Sequence, residues 1–264
     1  MQPNGAAAFN VSGDAYDRFM GRYSRPLAVE FATFADIDEA ALRVLDVGCG
    51  PGALTAELVR RVGASSVLAC DPSPSFVAAC AARNPGVEVR SGTAEQVPFD
   101  DDSVDAAVAQ LVLHFVSDPP AAAAELGRVV RSGGIIAACV WDFDEGMEML
   151  RTFWDAALQV DPDAPDEARV LRFGRPGELS AWLSAGGFTD VVETTLTVAS
   201  TYTGFDELWA GFQHGIGPAG SYLRGLGGHD QERVRAALLE RVGRPMAGFS
   251  LSAVARAAKA RVPG

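Results

Sequence analysis

Three glycines at alternate positions are the first residues in this sequence whose spacing indicates a chemical role. Gly48, Gly50 and Gly52 follow an apolar run at residues 42–47 and precede a helical pattern that begins at Ala53. Glycine lets a backbone approach a ligand closely, and the start of a helix offers unpaired N–H groups. The stretch therefore predicts a strand, a turn and a helix start that together hold a polar ligand.

A carboxylate at the end of the next apolar run is the second such feature. Residues 66–71 end at Asp71, about 20 residues beyond the glycines, where an acidic side chain accepts hydrogen bonds from ribose hydroxyls. An ordinary helix N-cap is the alternative, because Pro72 follows and a helical pattern begins at Pro74. The position of Asp71 favours the ribose role.

The histidines are the side chains that could serve as a general base. His114 stands at the end of the fourth predicted strand, where it either takes a proton from a reacting group or packs as a hydrogen-bonded residue, and the packing role is favoured. His214 lies in a glycine-rich segment that could form a substrate lid, and His229 marks a helix start. The acidic turn at residues 100–102 has no His or Glu at matching spacing, so no metal site is expected.

The elements that must position these residues alternate along the first half of the chain. Apolar strands are predicted at 42–47, 66–71, 87–91, 104–114 and 135–141, with helices between them. This alternation predicts one doubly wound α/β domain with a parallel sheet. The carboxyl ends of such strands lie on one rim, where the glycine-rich turn, Asp71, residues 93–95, Gln110 and Leu111 would meet.

Two further strands are predicted in the second half, at residues 191–199 and 249–261, with two helices between them. The glycines of this helical insertion, residues 204–244, suggest a mobile lid over the rim. Its aromatic residues either form an apolar acceptor pocket or pack on the sheet. The candidate substrate residues of the lid are Trp209, Phe212 and His214.

Composition excludes several classes of partner. The chain of 264 residues has a formal net charge of −12, which disfavours binding to nucleic acid or to an anionic membrane surface. Residues 1–10 do not resemble a signal peptide, and no apolar run is long enough to cross a bilayer. The 4 cysteines lack metal-ligand spacing and indicate reduced, buried thiols. We therefore expect a cytoplasmic monomer or homodimer without membrane insertion.

Three stretches of the sequence carry a resemblance to a known family. Residues 45–52 (Leu-Asp-Val-Gly-Cys-Gly-Pro-Gly), 92–99 and 129–134 resemble motifs of the class I methyltransferases that depend on S-adenosylmethionine (SAM). The small-molecule enzymes similar to the ubiquinone/menaquinone-biosynthesis methyltransferases are the nearest group. The resemblance implies a Rossmann-like sheet of seven strands, mostly parallel, with an antiparallel last strand. It also implies methyl transfer from SAM to a small-molecule acceptor, with O- or C-methylation favoured and S-adenosylhomocysteine (SAH) as product.

The resemblance implies a role for each matching residue. Asp71 would accept the ribose hydroxyls, Ala94 would offer its N–H to the adenine edge, and Gln110 and Leu111 would line the sulfonium. Thr93 stands where the family usually has Asp. The implied SAM-binding residues are Asp46, Gly48, Gly50, Pro51, Asp71, Pro72, Ser73, Thr93, Ala94, Glu95, Gln110 and Leu111.

The N-terminal region, residues 1–40, admits two interpretations. It is either a flap over SAM, with Tyr16 above the cofactor and Arg22 or Arg25 near its carboxylate, or a first helix packed on the sheet. A helix is predicted to start at Pro26. In the single domain that results, residues 41–141 would form the SAM-binding core and residues 142–264 the rest of the sheet with its lid.

Two other functions fit parts of the pattern. Gly48, Gly50 and Ala53 satisfy a loose dinucleotide fingerprint, so an NAD-dependent oxidoreductase is one alternative. Asp46 at the strand end and Pro51 within the turn argue against it. A SAM-binding protein without catalytic activity is the other alternative, because a fold does not by itself imply an activity.

Overall fold

A mixed sheet lies at the centre of the structure, a computed structural model that describes residues 19–38 and 42–264. Within that part of the chain the sheet has 7 strands in the order β3-β2-β1-β4-β5-β7-β6. The strands are β1 (Val44–Val47), β2 (Val67–Asp71), β3 (Glu88–Ser91), β4 (Val104–Gln110), β5 (Val130–Trp141), β6 (Thr189–Tyr202) and β7 (Phe249–Arg261).

The pairing of these strands confirms the predicted architecture. β1 to β5 pair in parallel, and β7 lies antiparallel between β5 and β6. The chain moves outward from β1 to β3 and then returns to place β4 beside β1. The order reverses between β1 and β4, and ligands of open α/β sheets bind beyond the carboxyl ends of the strands at such a reversal.

Helices cover both faces of the sheet. They are α1 (Gly21–Phe34), α2 (Ala53–Val62), α3 (Pro74–Arg83), α4 (Pro119–Val129), α5 (Glu148–Val160), α6 (Glu178–Ala185), α7 (Phe205–Gln213), α8 (Gly217–Gly225) and α9 (Gly228–Arg241). Successive side chains of a strand point to opposite faces, so each strand contributes side chains to two hydrophobic cores. Val44 of β1 packs in the core with α1 and α5, whereas Leu45 packs in the core with α4 and α6.

Several predicted boundaries are wrong, for identifiable reasons. α1 begins at Gly21 and contains Pro26 in its interior, although proline cannot donate the backbone bond expected there. β4 ends at Gln110; Leu111 has φ +64° and residues 113–115 form a 3₁₀ turn. The residues after Gln110 are as apolar as the strand, but they do not adopt its extended conformation.

The insertion between β6 and β7 is confirmed in position but holds three helices, α7 to α9, in place of the two expected. His229 lies in the first turn of α9, as predicted. Among the described residues, no helix combines the length and the apolar character needed to cross a bilayer. Tyr16 lies outside the described residues.

Candidate functional site

A cavity of about 320 Å³ opens where β1, β2 and β4 end. It lies at the reversal of strand order, and it brings together residues from four separate loops. The sequence-predicted residues that line it are Asp46, Gly48, Gly50, Pro51, Asp71, Pro72, Ser73, Thr93, Ala94, Glu95, Gln110 and Leu111.

The glycine-rich turn needs two of its glycines for different reasons. Gly48 has φ +71°, and a β carbon there would stand 2.4 Å from Cγ2 of Val112. Gly50 has φ +52°, and no atom of the described residues other than its own and those of its two chain neighbours lies within 4 Å of where its β carbon would be. Gly48 therefore permits close packing of the turn on the chain after β4, whereas Gly50 leaves open space at the cavity.

Asp71 ties this turn to the start of α3. Its Oδ2 accepts a hydrogen bond from the Gly50 N–H at 2.9 Å, and its Oδ1 accepts one from the Ser73 N–H at 2.8 Å. Burial raises the pKa of the carboxyl, and these two bonds oppose that rise. Each oxygen keeps a lone pair, so the carboxylate can also accept from ligand hydroxyls.

Asp46 is the more deeply buried carboxyl at the cavity, with 1% of its surface exposed. Its Oδ2 accepts a hydrogen bond from the Thr55 hydroxyl at 2.6 Å, which joins the end of β1 to α2. Desolvation by burial raises its pKa to about 7. A positive charge bound nearby would favour the ionised form and lower that pKa.

Gln110 and Ser24 leave two polar atoms without partners at the same cavity. The Gln110 Nε2 donates to the Ser24 carbonyl oxygen at 3.0 Å. The Gln110 Oε1 and the Ser24 Oγ are buried and have no hydrogen-bond partner among the described residues. Unsatisfied buried groups cost about 1–3 kcal/mol each, so an unpartnered acceptor and an unpartnered hydroxyl donor at one cavity suit a ligand. The ammonium and carboxylate of an amino acid, such as the methionine part of SAM, match this pair.

The loop after β3 is held by its own side chains. Glu95 Oε1 accepts hydrogen bonds from the N–H groups of Ser117 at 2.8 Å and Asp118 at 3.3 Å. This contact fixes the Thr93–Glu95 segment against the start of α4. The carboxylate of Glu95 therefore positions the loop, while Thr93 and Ala94 line the cavity.

A smaller cavity of about 40 Å³ shares Leu111 and Phe115 with the larger one. Its wall is mostly apolar, and its polar side-chain groups among the described residues are the imidazole of His114, the carboxyl of Glu167 and the indole N–H of Trp141. The first turn of α8 closes it. The remaining residues that line it are Phe19, Met20, Phe143, Leu150, Ile216, Gly217, Pro218 and Ala219.

His114 is fixed in one orientation in this wall. Its Nδ1 lies 2.6 Å from the Arg172 carbonyl oxygen, and burial lowers its pKa to about 4. The ring is therefore neutral at pH 7, and Nδ1 carries the proton because a carbonyl only accepts. Its buried Nε2 keeps a lone pair with no partner among the described residues. Both proposed roles of His114, packing and proton acceptance, remain compatible with this geometry.

Arg22 does not reach either cavity, contrary to the interpretation that placed it near a cofactor carboxylate. Its guanidinium forms an ion pair with Glu207 of α7 and lies 4.1 Å from the ring centre of Tyr202. The charge of Arg22 therefore joins α1 to the helical insertion.

The substrate residues expected in the lid are also placed elsewhere. Trp209 and Phe212 are buried in the core, and Phe212 stacks on Phe153 at 4.3 Å between ring centres. His214 is exposed at the end of α7. The aromatic face of α7 packs against α5 because both helices are amphipathic, so it is not free to line an acceptor pocket.

Sequence reasoning missed several polar or aromatic residues at the cavities, and three of them illustrate why. Ser24 lies within α1, Phe115 lies in the turn after β4, and Glu167 lies in a Pro- and Asp-rich connection. None belongs to a motif or a periodic pattern. Only the three-dimensional path of the chain brings them to the rim.

Comparisons with known proteins agree with this geometry. A family model described as "methyltransferase domain" matches residues 45–138. An uncharacterised methyltransferase of Mycobacterium tuberculosis is 38% identical over 135 residues, which cover 51% of this chain and 52% of that protein. The 2-methyl-6-phytyl-1,4-hydroquinone methyltransferase 2 of rice is 31% identical over 159 residues, which cover 60% of this chain and 42% of that protein. The chain spans about half the length of the relatives it matches.

A solved structure shows the same fold over nearly the whole chain. A methyltransferase candidate from Bacillus halodurans superimposes with a TM-score of 0.59 at 17% identity, covering 90% of this chain and 99% of that one. At this identity the likeness concerns the fold alone. Together these comparisons support the resemblance first seen in residues 45–52.

Proposed function

We propose that this chain, which has the class I SAM-dependent methyltransferase fold and a methyltransferase domain over residues 45–138, transfers a methyl group from SAM to a small-molecule acceptor. The observation that carries the proposal is the cavity at the reversal of strand order. It collects the residues that the family pattern assigns to SAM, and it adds unpartnered atoms of Gln110 and Ser24.

The residues of the chain would divide the binding of SAM between them. Gly50 leaves room for the ligand and Asp71 accepts from ribose hydroxyls. The unpartnered polar atoms of Gln110 and Ser24 hold the amino-acid end. SAM supplies an electrophilic methyl group on a sulfonium, so catalysis consists largely of orienting the acceptor and excluding water.

A largely apolar acceptor suits the lining of the rest of the site. The smaller cavity is lined mainly by aromatic and aliphatic side chains, and the net charge of −12 disfavours nucleic acid as substrate. The rice relative is named for a hydroquinone, which supports an aromatic acceptor methylated on oxygen or carbon. The four cysteines are buried and unpaired, which supports a reducing compartment such as the cytoplasm.

Ligand-induced stabilisation tests the proposal. SAM and SAH should each raise the melting temperature, since a ligand of the native state stabilises it by mass action, whereas NADH should not. The Asp71→Ala variant should lose most of the shift, and the exposed Asp206→Ala variant should keep it. A shift with NADH but with neither SAM nor SAH would overturn the proposal in favour of an oxidoreductase. Labelled SAM with a panel of small acceptors then separates an enzyme from a SAM-binding protein without activity.

A further inference from the structure

Two of the four cysteines lie against each other beside the glycine-rich turn. Cys49 belongs to that turn, Cys80 lies in α3, and both are buried in one small cluster with Ala69. Cys70 and Cys139 pack elsewhere, in the two large cores on opposite faces of the sheet. The fold therefore brings one pair of thiols together from two separate elements.

The sulfur atoms of this pair interact directly. The thiol of Cys49 donates a hydrogen bond to the sulfur of Cys80, and this bond lowers the pKa of the Cys80 thiol against the opposing effect of burial. The Asn84 Nδ2 donates to the same sulfur at 3.7 Å, and the Thr55 hydroxyl oxygen lies 3.4 Å from it. A thiolate is the nucleophile in disulfide chemistry, so these contacts prepare Cys80 to attack an oxidised sulfur.

Cys49 is the member of the pair that an oxidant can reach. It lines the larger cavity with 6% of its surface exposed, whereas Cys80 is fully buried. Its sulfur lies 3.6 Å from the carbonyl oxygen of Gly50, the residue that leaves open space at the cavity. A small molecule in the cavity therefore meets Cys49 first, and a ligand that fills the cavity covers it.

We propose that Cys49 and Cys80 form a redox site, at which a hydroperoxide in the larger cavity joins the two sulfur atoms in a reversible disulfide, and that this disulfide and bound SAM oppose each other. The opposition to SAM rests on the proposed function, because it takes SAM as the ligand of the cavity. Formation of the disulfide does not depend on that function.

The glycine-rich turn must move for the disulfide to form. The sulfur atoms of a disulfide lie about 2 Å apart, much closer than two thiols in hydrogen-bond contact. The Cα of Cys80 already lies 3.5 Å from where a β carbon of Gly52 would be, and the Gly52 N–H bonds to the Cys49 carbonyl oxygen at 3.0 Å. Because α3 is packed this closely on the turn, Cys49 supplies the movement. Gly50 follows Cys49 directly, so the movement disturbs the bond between its N–H and the Asp71 carboxylate.

The reaction balances with the hydroperoxide as oxidant. The Cys49 sulfur bonds to one peroxide oxygen as the O–O bond breaks, and the Cys49 proton leaves with the other oxygen. The Cys80 sulfur then bonds to the Cys49 sulfur as the sulfur–oxygen bond breaks, and the Cys80 proton leaves with that oxygen as water. The two thiols lose two electrons, and hydrogen peroxide gains them to become two waters. A dithiol reductant reverses the oxidation by thiol–disulfide exchange.

Hydrogen peroxide, applied to the protein after reduction with dithiothreitol, tests the redox site. Cleavage after arginine puts Cys49 on the peptide of residues 44–60, and Cys70 and Cys80 together on the peptide of residues 62–83. Mass spectrometry should find these two peptides joined in the wild type but not in Cys80→Ser. They should also be joined in Cys70→Ala, the matched control, which leaves Cys80 as the one cysteine of the second peptide.

Calorimetry with SAH tests the opposition to SAM. Oxidation of the wild type should weaken SAH binding by about tenfold or more, within the usual range of coupling between two sites, and dithiothreitol should restore it. Saturating SAH should suppress the joined peptides in turn, because such coupling is reciprocal. Reduced Cys80→Ser should bind SAH as tightly as the reduced wild type, and peroxide should leave its affinity unchanged.

The outcomes separate the redox site from the proposed function. Peptides that stay separate in the oxidised wild type and in oxidised Cys70→Ala overturn the disulfide. Joined peptides with unchanged SAH affinity, or an equal loss of affinity in oxidised Cys80→Ser, overturn its opposition to SAM. A reduced wild type that does not bind SAH rejects the proposed function, while the peptide analysis still tests the disulfide. Melting temperatures show whether each variant is folded, and the wild type and Cys70→Ala decide the pairing if Cys80→Ser is not.

Discussion

The carboxylate of Asp71 accepts the backbone N–H of Gly50 at 2.9 Å, and so joins the end of β2 to the glycine-rich turn that follows β1. The same side chain accepts the N–H of Ser73 and lines the larger cavity. One residue thereby shapes the binding turn and offers itself to a ligand. Its removal should damage the fold and the binding of SAM together.

Asp71→Ala should weaken SAM binding by roughly 1–3 kcal/mol, because a charge-assisted hydrogen bond is lost and the turn loosens. Isothermal titration calorimetry with SAH measures the loss. Asp206→Ala, which breaks an exposed ion pair with Arg235, is the matched control and should leave affinity unchanged. An unaltered dissociation constant in Asp71→Ala would refute the ribose role.

The two glycines of the turn should respond differently to alanine. Gly48→Ala places a methyl group against Val112 and forces alanine into a φ of +71°, so it should destabilise the fold by about 1–3 kcal/mol through overpacking in addition to the backbone strain. A Val112→Ala background should remove the overpacking and leave the strain. Gly50→Ala carries similar backbone strain at φ +52° but meets no atom beyond its chain neighbours, so it should cost less stability than Gly48→Ala and more SAH affinity. Urea unfolding and SAH titration measure the two effects. A Gly48→Ala cost that is independent of Val112 would contradict the packing explanation.

The raised pKa of Asp46 predicts a pH dependence of stability with a definite sign. Its folded value of about 7 exceeds its ordinary value of 3.8, so the folded protein holds the proton more tightly. The stabilisation is complete below about pH 3.8 and is lost as the pH rises through about 7. The stability of Asp46→Asn relative to wild type should therefore increase with pH across this window, by at most about 1.4 kcal/mol per pH unit, and then level off. Urea unfolding at several pH values provides the measurement, and a flat difference would show that the folded pKa is not raised.

Arg22 provides a test of the corrected placement of α1. Because its guanidinium pairs with Glu207 and lies over Tyr202, Arg22→Ala should leave SAH affinity within about twofold and lower stability by at most about 1 kcal/mol. Glu207→Ala should have a similar effect. The Arg22→Ala/Glu207→Ala double variant should lose less stability than the sum of the two single losses. A large loss of SAH affinity in Arg22→Ala alone would restore its role at the cofactor.

The sequence was sufficient to predict the sheet and the residues that lie along its rim. Apolar runs followed by Gly48 or Asp71 are local signals, and parallel strands place their carboxyl ends on one edge whatever the side-chain partners are. The end of β4 was missed because residues 111–113 are as apolar as the strand before them. Their turn is imposed by backbone conformation at Leu111, which composition does not reveal.

Side-chain partners were harder to predict, for a physical reason. Phe212 and Arg22 carry groups suited to a pocket, but α7 and α1 bury them against Phe153 and Glu207 through packing between distant segments. Glu167 carries no local signal at all, since it lies in an irregular connection. Its burial beside His114 exists only in the folded chain.

A crystal structure of the wild-type protein with SAH tests the central claim most directly. We expect SAH in the cavity of about 320 Å³, with its ribose at Asp71 and its amino-acid end at Gln110 and Ser24. SAH bound at another place, or a cavity that stays free of ligand at saturating SAH, would contradict the account.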